Sequence, residues 1–446
     1  MSRLIDSLLA LCVLATAADI TVSHAQGNSD EPLLLTRYIE NGRIREARQK
    51  AEVHHEEFGN VKSYAGFITT NKTYNSNAFF WFVLSQTNPR DDPVILYSNG
   101  GPGVPVLSVL FNNNGPFIVT KDQHLLRRNH TLTTNHSVIY LEIPVGTGYS
   151  YTDNELGYLR TQDDVARYVI AFLEQFYQLF PEQRKNDLYS AGCSYAGRFA
   201  VTTSRAVREY NHRAEDKINL RGIILGNAFI DLVRQQSNRE FLYHIGLIDW
   251  NERENIKKID DRMAKLDERS PEYLTEVVAK YEMIVLYTNF SYIFNYLTTN
   301  EPEDTSYYMF WVQTPRVRRA LHVGERKFVG YLAESNRHFA DDIRISVAPV
   351  MAEAMEDHKV LSYSGQLDMH FPYSATQELY RSLEWSGARE YRAASKQMWY
   401  HEGTLAGYRK RVQNFEEAIV RNAGHIADYE QPAWVCDLVT QFTRRK

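Results

Sequence analysis

The chain reads Asp187-Leu-Tyr-Ser-Ala-Gly-Cys-Ser-Tyr-Ala-Gly-Arg-Phe-Ala-Val201 near its middle. The apolar residues that open this stretch predict a short buried strand, which breaks at Gly192. A helical pattern follows, and Ser194 lies between the two elements with small neighbours at Gly192 and Ala196. This order is typical of a nucleophile elbow, a strained turn that presents a serine hydroxyl at the carboxyl end of a sheet. A plain strand-to-helix turn has the same pattern, so only the presence of an acid and a histidine as partners of the serine can distinguish the two interpretations.

Strands and helices alternate on both sides of this stretch, which predicts a mostly parallel sheet covered by helices on both faces. A helix is predicted over residues 163–180, with Thr161 or Asp163 as its cap. From about residue 231 to 339, charged helical stretches replace this alternation and predict an inserted helical cap. The predicted strands outside the elbow span residues 62–70, 78–85, 93–97, 137–141, 218–225, 359–363 and 418–421.

Two late strands lead into loops that carry the partners a nucleophilic serine needs. The first runs into Ser364-Gly-Gln-Leu-Asp368 and the second into Asn422-Ala-Gly-His425. The order Ser194, Asp368, His425 is that of the α/β-hydrolase fold, and each residue follows a buried strand. In this interpretation His425 takes the serine proton while Asp368 fixes the imidazole tautomer. The alternatives are a turn-capping Asp368 and a structural His425.

A glycine loop, Asn99-Gly-Gly-Pro-Gly103, follows the predicted strand at 93–97. Acyl transfer needs two backbone donors for the oxyanion, one from the residue after the nucleophile, Tyr195, and one from an early glycine loop. Glycines suit this role because the backbone can approach a ligand closely. A phosphate-binding loop or a plain turn is the alternative, although the missing Lys-Ser/Thr excludes a Walker loop.

Bulk composition narrows the classes of function. The 446 residues are enough for one large domain, and the net charge of -5 gives no reason to expect nucleic acid as a partner. Aromatic residues make up 13% of the chain, which favours a tyrosine-rich core over a ligand groove. The carboxylates and histidines show no metal-ligand spacing, so neither a metal nor a cofactor is predicted.

The N-terminus predicts entry into the secretory pathway. Residues 1–25 combine a basic start, an apolar run and a small-x-small cleavage site at Ser23-His-Ala25, with a cut after Ala18 as the other option. The apolar run is too short for a membrane span, and no later segment qualifies. The protein is therefore predicted to be secreted or lysosomal. Four sequons predict glycosylation at Asn71, Asn129, Asn135 and Asn289.

Two cysteines remain after the predicted cleavage, Cys193 and Cys436. Two thiols do not make a disulfide scaffold, and Cys193 lies inside the elbow. Two separate buried thiols are therefore favoured over a bridge.

Across residues 33–446 the chain resembles the serine carboxypeptidases, particularly their vitellogenic-like branch. The resemblance rests on Asn99-Gly-Gly-Pro-Gly, Pro144-Val-Gly-Thr-Gly-Tyr-Ser, Ser194-Tyr-Ala-Gly, Val317-Arg-Arg-Ala-Leu-His-Val, Gly365-Gln-Leu-Asp and Gly424-His425 with Gln431-Pro432. It implies an α/β-hydrolase domain over residues 26–446 that removes C-terminal residues from peptides, often as a homodimer. It also implies oxyanion donors at Gly101 and Tyr195, and substrate-carboxylate contacts at Asn99 and Gly100.

The chain departs from that family at two positions that normally carry glutamates binding the substrate's terminal carboxylate. Cys193 and Asn113 stand there instead. An asparagine amide can still donate a hydrogen bond, whereas a thiol is a poor donor. We therefore expect a weaker preference for free C-termini and a flatter acid optimum. The alternatives are a weakened or non-peptidase homologue, either an acyltransferase or esterase or a binding protein.

Overall fold

A computed structural model describes residues 31–331 and 333–445, so the predicted signal peptide lies outside the described residues. The strands of the described residues are β1 (Ser63–Asn71), β2 (Ser76–Val83), β3 (Val94–Ser98), β4 (Phe117–Val119), β5 (Leu125–Arg127), β6 (Ser137–Leu141), β7 (Leu188–Cys193), β8 (Leu220–Gly226), β9 (Lys359–Gly365), β10 (Gln397–His401), β11 (Thr404–Val412) and β12 (Phe415–Val420). Ten of them form one sheet in the order β1-β2-β6-β3-β7-β8-β9-β12-β11-β10, and β4 and β5 form a separate two-stranded sheet.

Six neighbouring strands in the middle of the sheet are parallel, namely β6, β3, β7, β8, β9 and β12. The strands outside them, β1 and β2 on one side and β11 and β10 on the other, pair antiparallel. The helices are α1 (Leu35–Glu40), α2 (Ile44–Ala51), α3 (Val106–Ser108), α4 (Gln162–Leu179), α5 (Ala196–Asn211), α6 (Arg239–His244), α7 (Trp250–Met263), α8 (Pro271–Thr288), α9 (Tyr307–Trp311), α10 (Pro315–Ala320), α11 (Ala333–His338), α12 (Ala348–Asp357), α13 (Tyr373–Ser382), α14 (Ala388–Ala393), α15 (Ala427–Glu430) and α16 (Pro432–Arg444). In the described part of the chain, no helix is both long and apolar enough to cross a membrane.

The sheet has an apolar core on each face because side chains alternate along every strand. In β3, Val94 and Leu96 pack with α4 and α5, whereas Ile95 and Tyr97 pack on the other face with α3 and α16. The prediction of a mostly parallel sheet with helices on both faces is confirmed. Helix α4 begins at Gln162, and Thr161 caps it in a reciprocal capping box with Asp164.

The sequence patterns missed the antiparallel edge formed by β10 and β11. Strand β11 contains Arg409-Lys-Arg411, a run that reads as a solvated surface. In the sheet, Lys410 lies opposite Glu417 and Arg411 opposite Glu416, and the Arg409 side chain also donates to Glu416. Charge pairing across strands, which a single stretch of sequence does not reveal, stabilises this edge.

Residues 227–358 connect β8 to β9 and contain helices α6 to α12; we call them the β8–β9 segment. The described part of this segment adds no strand to the large sheet. Its helices α7 and α8 bury Ile256, Ile259, Val277 and Tyr281 in the same apolar cluster as α4. The segment therefore extends the core of the sheet domain and has the helical content that the sequence predicts for a cap.

Candidate active site

The nucleophile elbow has the geometry that the sequence predicts. Ser194 has a left-handed backbone conformation with φ of 57°, an uncommon value for a non-glycine residue. Its backbone N–H donates to Gly226 at the end of β8 at 2.9 Å, and its carbonyl accepts from Phe229 at 2.9 Å. A Cβ at Gly192 would lie 2.2 Å from the Ala196 carbonyl oxygen, so only glycine fits there. The strain at Ser194 is held by its neighbours on both sides.

Asp368 and His425 are brought together from two loops at the same edge of the sheet. The His425 Nδ1 lies 2.8 Å from the Asp368 Oδ2, and both side chains are buried. A Cβ at Gly365 would lie 1.9 Å from the Gly424 carbonyl oxygen, so a glycine is needed for the two loops to approach. The buried His425 Nε2 has no hydrogen-bond partner among the described residues. The imidazole is therefore oriented by one nitrogen and leaves the other available.

The charge of Asp368 is well supported. Burial by itself would raise the pKa of Asp368, but the nearby His425 and hydrogen bonds from His425 and Asn227 hold that pKa below its ordinary value. The Asp368 Oδ1 also accepts the backbone N–H groups of His370 and Phe371 at 2.8 and 3.1 Å. The carboxylate is thus kept ionised and in one orientation.

Asn227 contacts the candidate site at Asp368, although the sequence patterns did not identify it as a site residue. Its Nδ2 donates to the Asp368 Oδ2 at 2.9 Å, and its Oδ1 accepts the Gly365 N–H at 3.2 Å. It directly follows β8, the strand whose last residue holds the Ser194 N–H. The only available signal was a polar residue at the carboxyl end of a buried strand, where open α/β sheets place their sites.

The glycine loop lies directly against the elbow. A Cβ at Gly100 would be 2.8 Å from the Cys193 carbonyl oxygen, 2.9 Å from the Ser194 Cβ and 2.9 Å from the Tyr195 nitrogen. Gly101 has φ of 111°, a region that side chains strongly disfavour. In the described part of the chain, neither the Gly101 nor the Tyr195 N–H donates to a backbone carbonyl. Both predicted oxyanion donors therefore belong to backbone stretches that meet beside the serine.

The residues predicted to contact a substrate carboxylate have protein partners of their own. The Asn99 Nδ2 donates to the Ser108 Oγ at 2.7 Å, and its Oδ1 accepts the Gly100 N–H. The Asn113 Nδ2 donates to the Asp428 Oδ1 at 3.0 Å. Burial raises the pKa of the Cys193 thiol, with Asp428 and Asp368 adding to the effect. The thiol is therefore held neutral, and Asp428 is an acid at this site that the sequence patterns did not single out.

The loop carrying His425 is tied to the β8–β9 segment. The His425 backbone N–H donates to the Phe294 carbonyl oxygen at 2.6 Å, and the Phe294 ring stacks on the imidazole with centroids 4.5 Å apart. The Glu430 carboxylate accepts the Gly424 N–H at 3.0 Å and also accepts from the Asn295 Nδ2. Burial raises the pKa of Glu430 to about 7. The histidine is therefore positioned jointly by the sheet domain and by residues 294–295.

Potential metal ligands cluster elsewhere, at Glu155, Glu334 and His338, whose donor atoms lie within 4.8 Å of one another. Arg160 lies 3.5 Å from Glu155, and Arg337 pairs with Glu334, so both carboxylates have cationic partners. Arginine pairing accounts for the two acids without an ion. In the described part of the chain, Cys193 is a buried free thiol and Cys436 a half-buried one.

The fold and the serine, aspartate and histidine at the carboxyl edge of its sheet define the α/β-hydrolase class. The family model of serine carboxypeptidases matches residues 54–445. The venom serine carboxypeptidase of Apis mellifera is 40% identical over 429 residues, covering 93% of this chain and 91% of that protein. The probable serine carboxypeptidase CPVL of Homo sapiens is 38% identical over 435 residues, covering 94% and 90%.

Among solved structures, the Saccharomyces cerevisiae prohormone-processing carboxypeptidase Kex1 superimposes with a TM-score of 0.80 at 20% identity, covering 89% of this chain and 96% of that one. That likeness supports the fold. The chain belongs to the serine carboxypeptidase family and is a hydrolase of the serine-type carboxypeptidase class. The expectation drawn from the sequence motifs is confirmed at this level.

Proposed function

We propose that this protein removes C-terminal residues from peptides through an acyl-enzyme formed on Ser194. The observation that carries the proposal is the His425–Asp368 contact of 2.8 Å at the sheet edge where the strained Ser194 lies, with the second imidazole nitrogen unpartnered among the described residues. In the proposed reaction the Ser194 Oγ attacks the scissile carbonyl carbon, and its proton passes to the His425 Nε2. That proton then goes to the leaving amine. In the second half of the reaction, water attacks the ester carbonyl carbon while its proton passes to His425, and His425 returns a proton to the Ser194 Oγ as the acid product leaves.

The oxyanion of each tetrahedral intermediate is assigned to the backbone N–H groups of Gly101 and Tyr195. These groups lie in two stretches that approach so closely at Gly100 that a side chain would not fit between them, which supports donors arranged before substrate binds. Preorganised donors of this kind are worth about 3 kcal/mol each in the transition state. Asn99, Gly100, Asn113 and Cys193 are assigned to the subsite that faces the terminal carboxylate of the substrate.

The test is covalent labelling with a serine-directed fluorophosphonate, combined with release of the C-terminal residue from a blocked dipeptide. We expect the unaltered protein to be labelled and to cleave the peptide, and Ser194→Ala to lose both properties. Ser204→Ala is the matched control because Ser204 is a buried serine of α5 that bonds only the Val201 carbonyl oxygen. Labelling that persists in Ser194→Ala would exclude Ser194 as the nucleophile.

One observation favours a second candidate, a homologue with weakened peptidase activity or with acyltransferase, esterase or binding function. The Asn113 amide donates to Asp428, and Cys193 is held as a neutral thiol. Labelling without peptide cleavage would support an acyltransferase or esterase, and absence of labelling would support a binding protein.

Secretory routing, the cap and the assembly state extend the proposal. The predicted cap, residues 231–339, lies within the β8–β9 segment.

Of the four sequons, Asn71, Asn129 and Asn289 are exposed, and Asn135 is half-buried with its Oδ1 accepting from Arg444. We expect glycosidase treatment of the secreted protein to lower its mass, and we expect the three exposed asparagines to carry more of the removed glycan than Asn135. A secreted or lysosomal location and a homodimer are proposed with it, to be checked by fractionation and by light scattering.

A further inference from the structure

A buried carboxyl group, Asp428, lies behind the proposed substrate subsite. It belongs to α15, three residues after His425, and is only 1% exposed. Its Oδ1 accepts from the Asn113 Nδ2 at 3.0 Å. Its Oδ2 accepts from the Asn114 Nδ2 at 2.8 Å and from the Tyr97 hydroxyl at 3.2 Å. Three neutral donors from two elements therefore converge on one buried acid.

No cation neutralises this carboxyl group at contact distance in the described part of the chain. Arg128 is near enough to favour the ionised form, but its guanidinium donates to the carbonyl oxygens of Gly115 and Phe111. Burial outweighs these hydrogen bonds and Arg128, and it raises the pKa of Asp428 above its ordinary value. The remaining titratable groups that face Asp428 are neutral: Tyr97 of β3, Tyr140 of β6, Cys193 of β7, Tyr363 of β9 and Cys436 of α16.

Asp428 borders both positions that the sequence predicts as carboxylate contacts and that lack an acid of their own. Asn113 bonds it directly, and the pKa of Cys193, the residue before Ser194, is raised by burial and then by the Asp428 charge. A substrate carboxylate held at Asn113 would therefore lie next to a second carboxyl group in a buried place. Two such groups do not both ionise without a large penalty, so one of them takes up a proton.

We propose that Asp428 is a specificity-determining residue that admits a free C-terminus only when its carboxyl group is protonated. In the neutral form Asp428 needs fewer donors, which releases the Asn113 amide toward the substrate carboxylate. In the ionised form it holds Asn113 and repels that carboxylate. The inference rests on the proposed carboxypeptidase function. It differs from the expectation of a flatter acid optimum drawn from Cys193 and Asn113 alone, because α15 places an acid beside those two positions.

The kinetic test compares a blocked dipeptide with its C-terminal amide from pH 4.5 to 7.5. In the unaltered protein, we expect the ratio of kcat/KM for acid over amide to fall by roughly 10-fold or more as pH rises. Repulsion of this size is expected between two carboxylates that lie close together and are shielded from water. In Asp428→Asn we expect this ratio to change by no more than about 2-fold over the same pH range, because the charge is gone. An Asp428→Asn protein that keeps the full pH dependence would overturn the proposal.

Two further variants make the kinetic test specific. Asn113→Glu in the Asp428→Asn background returns a carboxyl group to the other side of the 3.0 Å contact, and we expect it to restore the pH-dependent ratio. Glu417→Gln removes a buried carboxyl group that lies in the sheet, in the middle of β12, and we expect it to match the unaltered protein. Restoration in the double variant is not expected from a purely structural Asp428.

A binding measurement separates this inference from the proposed function and needs no catalysis. Calorimetry in two buffers of different ionisation enthalpy counts the protons taken up when the same dipeptide acid binds Ser194→Ala near neutral pH. We expect uptake of about one proton for the acid and none for the amide. If Ser194→Ala takes up the proton but the unaltered protein is not labelled by the fluorophosphonate, the role of Asp428 is upheld and the peptidase proposal fails. Binding of the acid without uptake would refute the role even if the peptidase proposal held.

Discussion

Asn227 illustrates how one polar side chain can support Asp368 from outside the proposed triad. It combines φ of 42° with hydrogen bonds to the Asp368 carboxylate and the Gly365 N–H. The first bond stabilises the ionised form of Asp368, and the second connects the ends of β8 and β9. At the scale of the residue, we assign Asn227 to positioning of the aspartate.

Replacing Asn227 by glycine tests that assignment, because glycine accepts the positive φ while removing the amide. A hydrogen bond to a charged group is worth about 1.5–3 kcal/mol, so we expect kcat to fall about 10-fold or more. Loss of the bond raises the pKa of Asp368, so the acid limb of the kcat/KM profile should move to higher pH. Asn75→Gly, also at positive φ but in the β1–β2 turn, is the control. A reduced rate with an unmoved acid limb would argue against positioning.

At the scale of the element, Glu142 joins the strand β6 to the turn that follows the glycine loop. It comes directly after β6, and its Oε2 accepts the Val106 N–H, the first of α3, at 2.8 Å. Complete burial raises the pKa of Glu142 to about 8. A Cβ at Gly148 would lie 2.3 Å from its Oε1, which explains why a glycine stands there. The carboxyl group is therefore neutral in the folded protein over a range in which an unfolded chain would ionise it.

This difference makes the stability of the protein depend on pH with a definite sign. Because the folded pKa of Glu142 is raised, its contribution is fully present below the ordinary value of 4.5 and is lost as pH rises toward about 8. We expect the melting temperature to fall less steeply over that interval in Glu142→Gln than in the unaltered protein. Glu209→Gln, an exposed carboxyl group of α5, is the control and should keep the original slope. Parallel curves for all three proteins would contradict this assignment.

At the scale of the whole molecule, the β8–β9 segment and the sheet domain share responsibility for the histidine. Phe294 supplies both the ring that stacks on His425 and the carbonyl oxygen that accepts its N–H. Asn295 and Gly424 share the Glu430 carboxylate. The site is therefore complete only when residues 294–295 are docked on the His425 loop.

Asn295→Ala should loosen this docking. We expect faster amide hydrogen exchange in residues 292–299 and 422–426, because local opening costs less when a buried contact is lost. We also expect kcat/KM to fall by about 10-fold, as a weakly oriented histidine is a poorer base. Asn300→Ala, an exposed neighbour in the same segment, is the control. Unchanged exchange in the His425 loop would show that the segment does not position the histidine.

Much of the fold could be predicted because it depends on local patterns. The apolar runs of β3, β6 and β7 and the helical periodicity of α4 lie within short stretches, and side-chain burial follows their period. The order of Ser194, Asp368 and His425 could be predicted as a candidate triad because each follows such a strand. The edge strand β11 was missed because its cations are accounted for only by Glu416 and Glu417 of β12.

By itself, the sequence determined the parallel sheet, the elbow, the family and the two missing glutamates. Tertiary structure alone decided which acid lies beside those two positions. Asp428 meets Asn113 across 315 positions of sequence, and Asn227 meets Asp368 across 141. No periodicity reports such contacts, because they depend on how separate strand ends and helices are placed around one edge of the sheet. A buried acid also gains its raised pKa only from that packing, since exposed aspartates titrate near their ordinary value.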